Sequence, residues 1–97
     1  MDCKPVEFSN VNHLRDFVYH TLCQIDELCP GAFPMSERIL LRRGRPCGIL
    51  FCLHGPRSVR YTAIWETDQN TILFYDPAGE RLFFAQLSSA PALAAAA

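Results

Sequence analysis

From residue 37 to residue 87 the chain alternates between apolar-rich runs and very short gaps, and this rhythm limits the folds open to it. The runs are ERILLRR (37–43), CGILFCLH (47–54), SVRYTAIWE (58–66), TILFYD (71–76) and ERLFFAQL (80–87). They are rich in Ile, Val, Thr, Phe, Tyr and Trp, and the gaps GRP, GPR, TDQN and PAG supply Gly, Pro, Asn and Asp. β-Branched and aromatic residues suit a pleated surface, and those gap residues suit tight turns. Gaps of this length cannot hold the crossover of about a dozen residues that parallel strands require. Five sequential strands pairing antiparallel are therefore expected.

Before the strands the period is different. In SNVNHLRDFVYHTLCQIDELCPG (9–31), Val11, Leu14, Val18, Leu22, Ile25 and Leu28 recur at steps of three and four. That spacing draws one apolar stripe along a helix. Ser9, Asn10 and Asn12 can cap its start, and Pro30-Gly31 stops it, so a helix over residues 11–28 is expected. The fold class that follows is α+β, one long N-terminal helix on a five-stranded antiparallel meander. The helix should cover one sheet face, made of Ile39 and Leu41, then Ile49, Phe51 and Leu53, then Val59, Tyr61, Ala63 and Trp65. The fourth and fifth strands are apolar on both faces: Leu73 and Tyr75 oppose Ile72 and Phe74, and Leu82 and Phe84 oppose Phe83, Ala85 and Leu87. A second apolar face points to strong curvature or a partner surface.

The 97 residues suffice for one core, so residues 1–87 are expected to form a single domain. SSAPALAAAA (88–97) has no caps and no amphipathic pattern and reads as a low-complexity tail. No apolar run is long enough to span a bilayer, and MDCKPVEFSN carries no export pattern. Five cysteines form an odd set without a C-x-x-C pair. They read as reduced, mostly buried thiols of a cytoplasmic, bacterial-type protein without membrane contact.

The net charge of −1 hides a basic middle: residues 38–60 hold Arg38, Arg42, Arg43, Arg45, Arg57 and Arg60 and no acid. Arg42, Arg43 and Arg45 crowd the first turn. Arg57 lies in the second, with Arg60 and His54 beside it and Arg38 within reach. Successive turns of a meander lie at opposite ends of the shared strand, so two clusters are expected. Guanidinium forks suit phosphate and carboxylate, which makes His54, Arg57, Arg60, Arg42, Arg43 and Arg45 the candidate anion-binding residues. A solvated rim paired with Glu66, Asp68, Asp76 and Glu80 is the plainer use of the same charges. Cys52 and His54 share a strand face, but no motif supplies the orienting group or oxyanion hole that a cysteine nucleophile needs.

On the helix, His13, Asp16, His20, Cys23 and Glu27 follow 3-4-3-4 spacing and are expected on one outer stripe. His13, Asp16, His20 and Cys23 are metal-ligating types. Any polar helix face has this spacing, however, and one helix rarely completes a shell, so no metal or other cofactor is expected. Phosphate loops, zinc knuckles and nucleophile elbows are absent from the sequence.

RSVRYTAIWETDQNTILFYDPAGER (57–81) resembles the C-terminal strands of small ribosome-dependent RNase toxins, which pair a basic strand with an apolar strand ending near Gly and Arg. The resemblance implies an RNA-acting enzyme. It covers about a quarter of the chain. The single helix and slightly acidic balance depart from the toxin pattern, and no catalytic role carries over to a residue here. The expected function is a small binding or interaction module whose partner is a protein, a second copy or an anionic ligand, nucleic acid being a weaker candidate, with an RNA-acting enzyme of the toxin type as the competing class.

Overall fold

The computed structural model describes residues 6–7 and 11–89. Its elements are β1 (Val6–Glu7), α1 (Val11–Ile25), β2 (Met35–Arg42), β3 (Arg45–His54), β4 (Arg60–Glu66), β5 (Thr71–Tyr75) and β6 (Arg81–Ser89). The strand order is β1-β6-β5-β4-β3-β2. Strands β2 to β6 form the expected antiparallel meander with α1 packed on it, an α+β fold. The two-residue β1 pairs parallel with β6, Val6 opposite Leu87. It is too short to carry a hydrophobic period, so the sequence pattern does not reveal it. Strand β6 runs to Ser89, two residues into the stretch read as tail, and residues 90–97 lie outside the described ones.

The core forms where the helix stripe meets the inner sheet face. Leu14, Val18 and Leu22 are fully buried, as are Phe51 and Leu53 of β3, Ala63 and Trp65 of β4 and Ile72 and Phe74 of β5. Phe74 is stacked on Phe83 at 4.8 Å between ring centroids and meets the edge of Phe17 at 6.3 Å. Burying a side chain of this size contributes about 1.5–3 kcal/mol. The Trp65 indole N–H donates to Asn70 Oδ1 at 3.3 Å, and Asn70 also exchanges backbone bonds with the β4–β5 turn and Leu87. Arg15 holds Glu37 through a two-pronged guanidinium–carboxylate pair that ties α1 to β2.

Three local expectations fail for identifiable reasons. The helix ends at Ile25, three residues early, because Glu27 takes a left-handed conformation (φ 55°). Leu28 N–H then bonds Cys23 C=O at 2.7 Å and Glu27 N–H bonds Gln24 C=O at 3.4 Å, a Schellman closure. Leu41 is 64% exposed, not core. The pairing of β2 with β3 slips there: Leu40 faces Gly48 and Leu41 faces Pro46, leaving Cys47 as an extra bulged residue. The first turn is Arg43-Gly44, both at positive φ, and Arg45 already belongs to β3. Two such residues suit a type I′ hairpin.

Cys23 is a further correction. It is 1% exposed and lies in the core, not on an outer helix stripe. The connection from α1 to β2 folds back over this side. The Tyr19 hydroxyl holds that connection, donating to Phe33 C=O at 2.9 Å and accepting from Gly31 N–H at 2.7 Å. Burial pushes the Cys23 thiol pKa up, against the hydrogen bond with Tyr19. Cys29 is exposed and Cys47 and Cys52 are half-buried, so among the described cysteines only Cys23 is a core residue.

Gly48 marks the tightest approach between strands: a Cβ there would stand 2.1 Å from the Trp65 carbonyl oxygen. Gly48→Ala should cost about 3 kcal/mol, measured as a lower urea midpoint at unchanged m-value. Glu27→Gly relieves the left-handed strain and should raise stability by about 1 kcal/mol, read as a Tm increase of roughly 4–8 °C.

Candidate functional site

Alternation along each strand sends the residues between the core positions to the face away from the helix. Cross-strand pairing assembles them into rows. Leu50 faces Ile64, Ile64 faces Leu73 and Leu73 faces Phe84. In the adjacent row Cys52 faces Thr62 and Thr62 faces Tyr75. Tyr75 meets Arg81 across a second bulge that leaves Leu82 as the extra residue. The rows form a largely apolar belt across β3 to β6. Leu50, Cys52, Ile64, Leu73 and Tyr75 are half-buried, while Leu82 is 44% and Phe84 45% exposed. At the β5–β6 side the belt sinks into an open depression of about 560 Å³ lined by Thr71, Leu73, Arg81, Leu82, Phe84 and Gln86.

Charge frames the belt. One row beyond it, Gly48 faces Glu66; at the opposite end His54 faces Arg60. Strand β4 therefore presents Arg60, Thr62, Ile64 and Glu66 on this face, with opposite charges at its two ends. No ion pair among the described residues involves either Arg60 or Glu66.

The arginines fall at opposite ends of β3. Arg42, Arg43 and Arg45 line a depression of about 640 Å³ with Pro46, Cys47 and Asp68. Arg42 Nη1 donates to Asp68 Oδ2 at 2.6 Å, and that bond with the carboxylate raises the guanidinium pKa. Both partners are largely exposed, so the pair contributes little to stability. At the other end stand His54, Arg57 and Arg60. His54 Nε2 lies 2.9 Å from Ser36 Oγ. Arg57 occupies the left-handed region (φ 57°, ψ 35°), as does Ser58 (φ 64°), in the 3₁₀ turn Pro56–Ser58. Arg45 and His54 are nine residues apart on one strand, about 30 Å at the usual rise. Arg38 faces Leu50 in mid-strand and joins neither group.

His13, Asp16 and His20 are exposed on α1, and His20 Nδ1 lies 2.8 Å from Asp16 C=O. With Cys23 turned into the core, the four residues do not share one surface. No group of three His, Cys, Asp or Glu side chains able to hold a metal ion occurs among the described residues. No helix of the described residues is long and apolar enough to cross a membrane.

Sequence reading shows that the fourth and fifth strands are apolar on both faces, without saying that Leu73, Tyr75, Leu82 and Phe84 are the outward set. It misses their continuation through Ile64 and Leu50 and the opposed charges of β4. Strand alternation gives the face of each residue, but only the register shows which residues stand side by side. Comparison with protein-family models, with curated proteins and with solved structures finds no match to this chain.

One part-buried polar contact fixes the sheet end that carries Arg57 and Arg60. Tyr61 is buried beside them, and its hydroxyl donates to Asp26 Oδ2 at 2.5 Å, joining β4 to the end of the helix. The hydrogen bond to the carboxylate, together with burial, pushes the phenol pKa up to about 12. An unfolded tyrosine titrates near 10, so this contact stabilises the fold fully below about pH 10. Its contribution disappears as pH rises through about 12. The urea midpoint of the wild type should fall more steeply between those two pH values than that of Tyr61→Phe. Asp26→Asn should bring the phenolate absorbance change at 295 nm to lower pH.

Proposed function

We propose that the protein is a small binding module whose outer sheet face docks a protein partner. One observation carries this reading: a continuous apolar belt, Leu50, Ile64, Leu73 and Phe84 with Tyr75 and Leu82, stays open on the face that the helix leaves uncovered. Isolated exposed apolar side chains are ordinary on a protein surface. A contiguous belt with a charged rim is the composition of an interface. An antiparallel sheet can leave one face to water, and such a face then reads polar throughout; this one is polar at its ends and at Thr62 but apolar along the row from Leu50 to Phe84.

The competing reading, an RNA-acting enzyme of the toxin type, has less support. Such an enzyme needs its acid–base group and its phosphate cradle on one surface. Here only Arg57 and Arg60 of the candidate arginines stand beside His54; Arg42, Arg43 and Arg45 lie at the opposite end of β3, and the Arg42 side chain is already bound to Asp68. The arginine turns remain candidate contacts for an anionic rim of the partner.

Photo-crosslinking tests the proposal directly. A p-benzoylphenylalanine at position 73 or 84 of the expressed full chain should give a discrete protein adduct on irradiation in cells. The same group at Gln24, exposed on α1, should give none. Absence of a discrete adduct from both face positions would overturn the proposal.

A further inference from the structure

Resting on that reading of the face, we propose that its partner is a second copy of the chain, packed sheet on sheet with β4 lying across β4. The inference comes from the symmetry of the face. Its outward β4 side chains run Arg60, Thr62, Ile64, Glu66, with the two charges about 20 Å apart. A two-fold axis running across the strands, near Ala63, brings Arg60 of each copy to Glu66 of the other. It brings Thr62 to Ile64.

The same rotation exchanges the two rows of the belt on every strand. Leu50 comes to Cys52, Leu73 to Tyr75 and Phe84 to the Arg81–Leu82 bulge, so apolar or neutral groups meet except at Arg81, whose side chain lies at the sheet edge against Phe84. On β2, Arg38 comes to Ser36, and on β3 His54 comes to Gly48, where no side chain obstructs it. An axis along the strands would instead set Arg60 on Arg60 and Glu66 on Glu66. The face is thus self-complementary in one arrangement, which is what an isologous interface requires. A partner surface of single sign would match one end of β4 and oppose the other.

Four strand spacings by six residue rises give a projected patch of about 19 by 20 Å per copy, about 760 Å² for the pair before side-chain relief is counted. That places the pair at the small, weak end of protein interfaces, in line with a dissociation constant in the micromolar range. Two sheets stacked about 10 Å apart with strand directions within about 30° would form a sandwich, each outer layer being one helix.

Sedimentation equilibrium of the full chain tests this, with circular dichroism confirming that each variant is folded. The wild type should be a dimer at about 50 µM. Arg60→Glu and Glu66→Arg should each raise the dissociation constant about tenfold or more, because each puts like charges together twice. An equimolar mixture of the two variants should recover wild-type affinity, since their cross-pairs are again opposite in sign. A wild type that stays monomeric at about 200 µM, or a mixture no tighter than its components, overturns the proposal. A monomer that still crosslinks through position 73 or 84 to a different protein overturns only the self-pairing. A monomer without adducts overturns the binding reading as well.

Discussion

One helix can cover one face of a five-stranded sheet, and the organisation of this protein follows from that limit. The stripe of Leu14, Val18 and Leu22 buries Phe51, Trp65 and Phe74 completely. Nothing else among the described elements lies over the opposite face. Among the described residues, the one long amphipathic helix lies on the inner side, while apolar side chains occupy both faces. The open belt is therefore a consequence of element count as much as of individual residues.

The contacts that fix α1 on the sheet are few and specific. Arg15 reaches Glu37 on β2, and Tyr61 reaches Asp26 at the helix end from β4. Tyr19 holds the connection that follows the helix. These polar ties add direction to a core whose energy is mainly burial. They hold the inner layer in place, so the outer face is presented by a braced sheet with a defined register. A rigid sheet offers side chains already ordered, which lowers the entropy lost on docking.

Much of this architecture is legible in the residue pattern. The change of hydrophobic period after Pro30-Gly31 separates helix from strands, and the short gaps dictate a meander. The failures are equally physical. Leu41 reads as core because alternation alone cannot see the bulge at Cys47 that changes its partner. Cys23 reads as an outer-face residue because helix geometry says nothing about the loop that folds back over it. Glu27 ends the helix from the left-handed region, a place where the sequence offers none of the glycine that normally marks it. The candidate site shows the same division. That the last two strands are apolar on both faces stands out in the sequence, but which set faces outward, and the belt it joins, are properties of pairing and packing. So is the opposition of Arg60 and Glu66, which becomes informative once β4 is known to lie at the centre of the meander.

The central claim is that two such faces close on each other. Isotope-filtered NOE spectroscopy on a mixture of labelled and unlabelled chains reads that contact most directly. The account predicts intermolecular cross-peaks between the Ile64 methyls of one copy and the Thr62 methyl of the other, with Leu73 methyls reaching the ring of Tyr75. Face methyls that show only intramolecular cross-peaks, and that a soluble paramagnetic probe bleaches as fully as exposed helix positions, would contradict it.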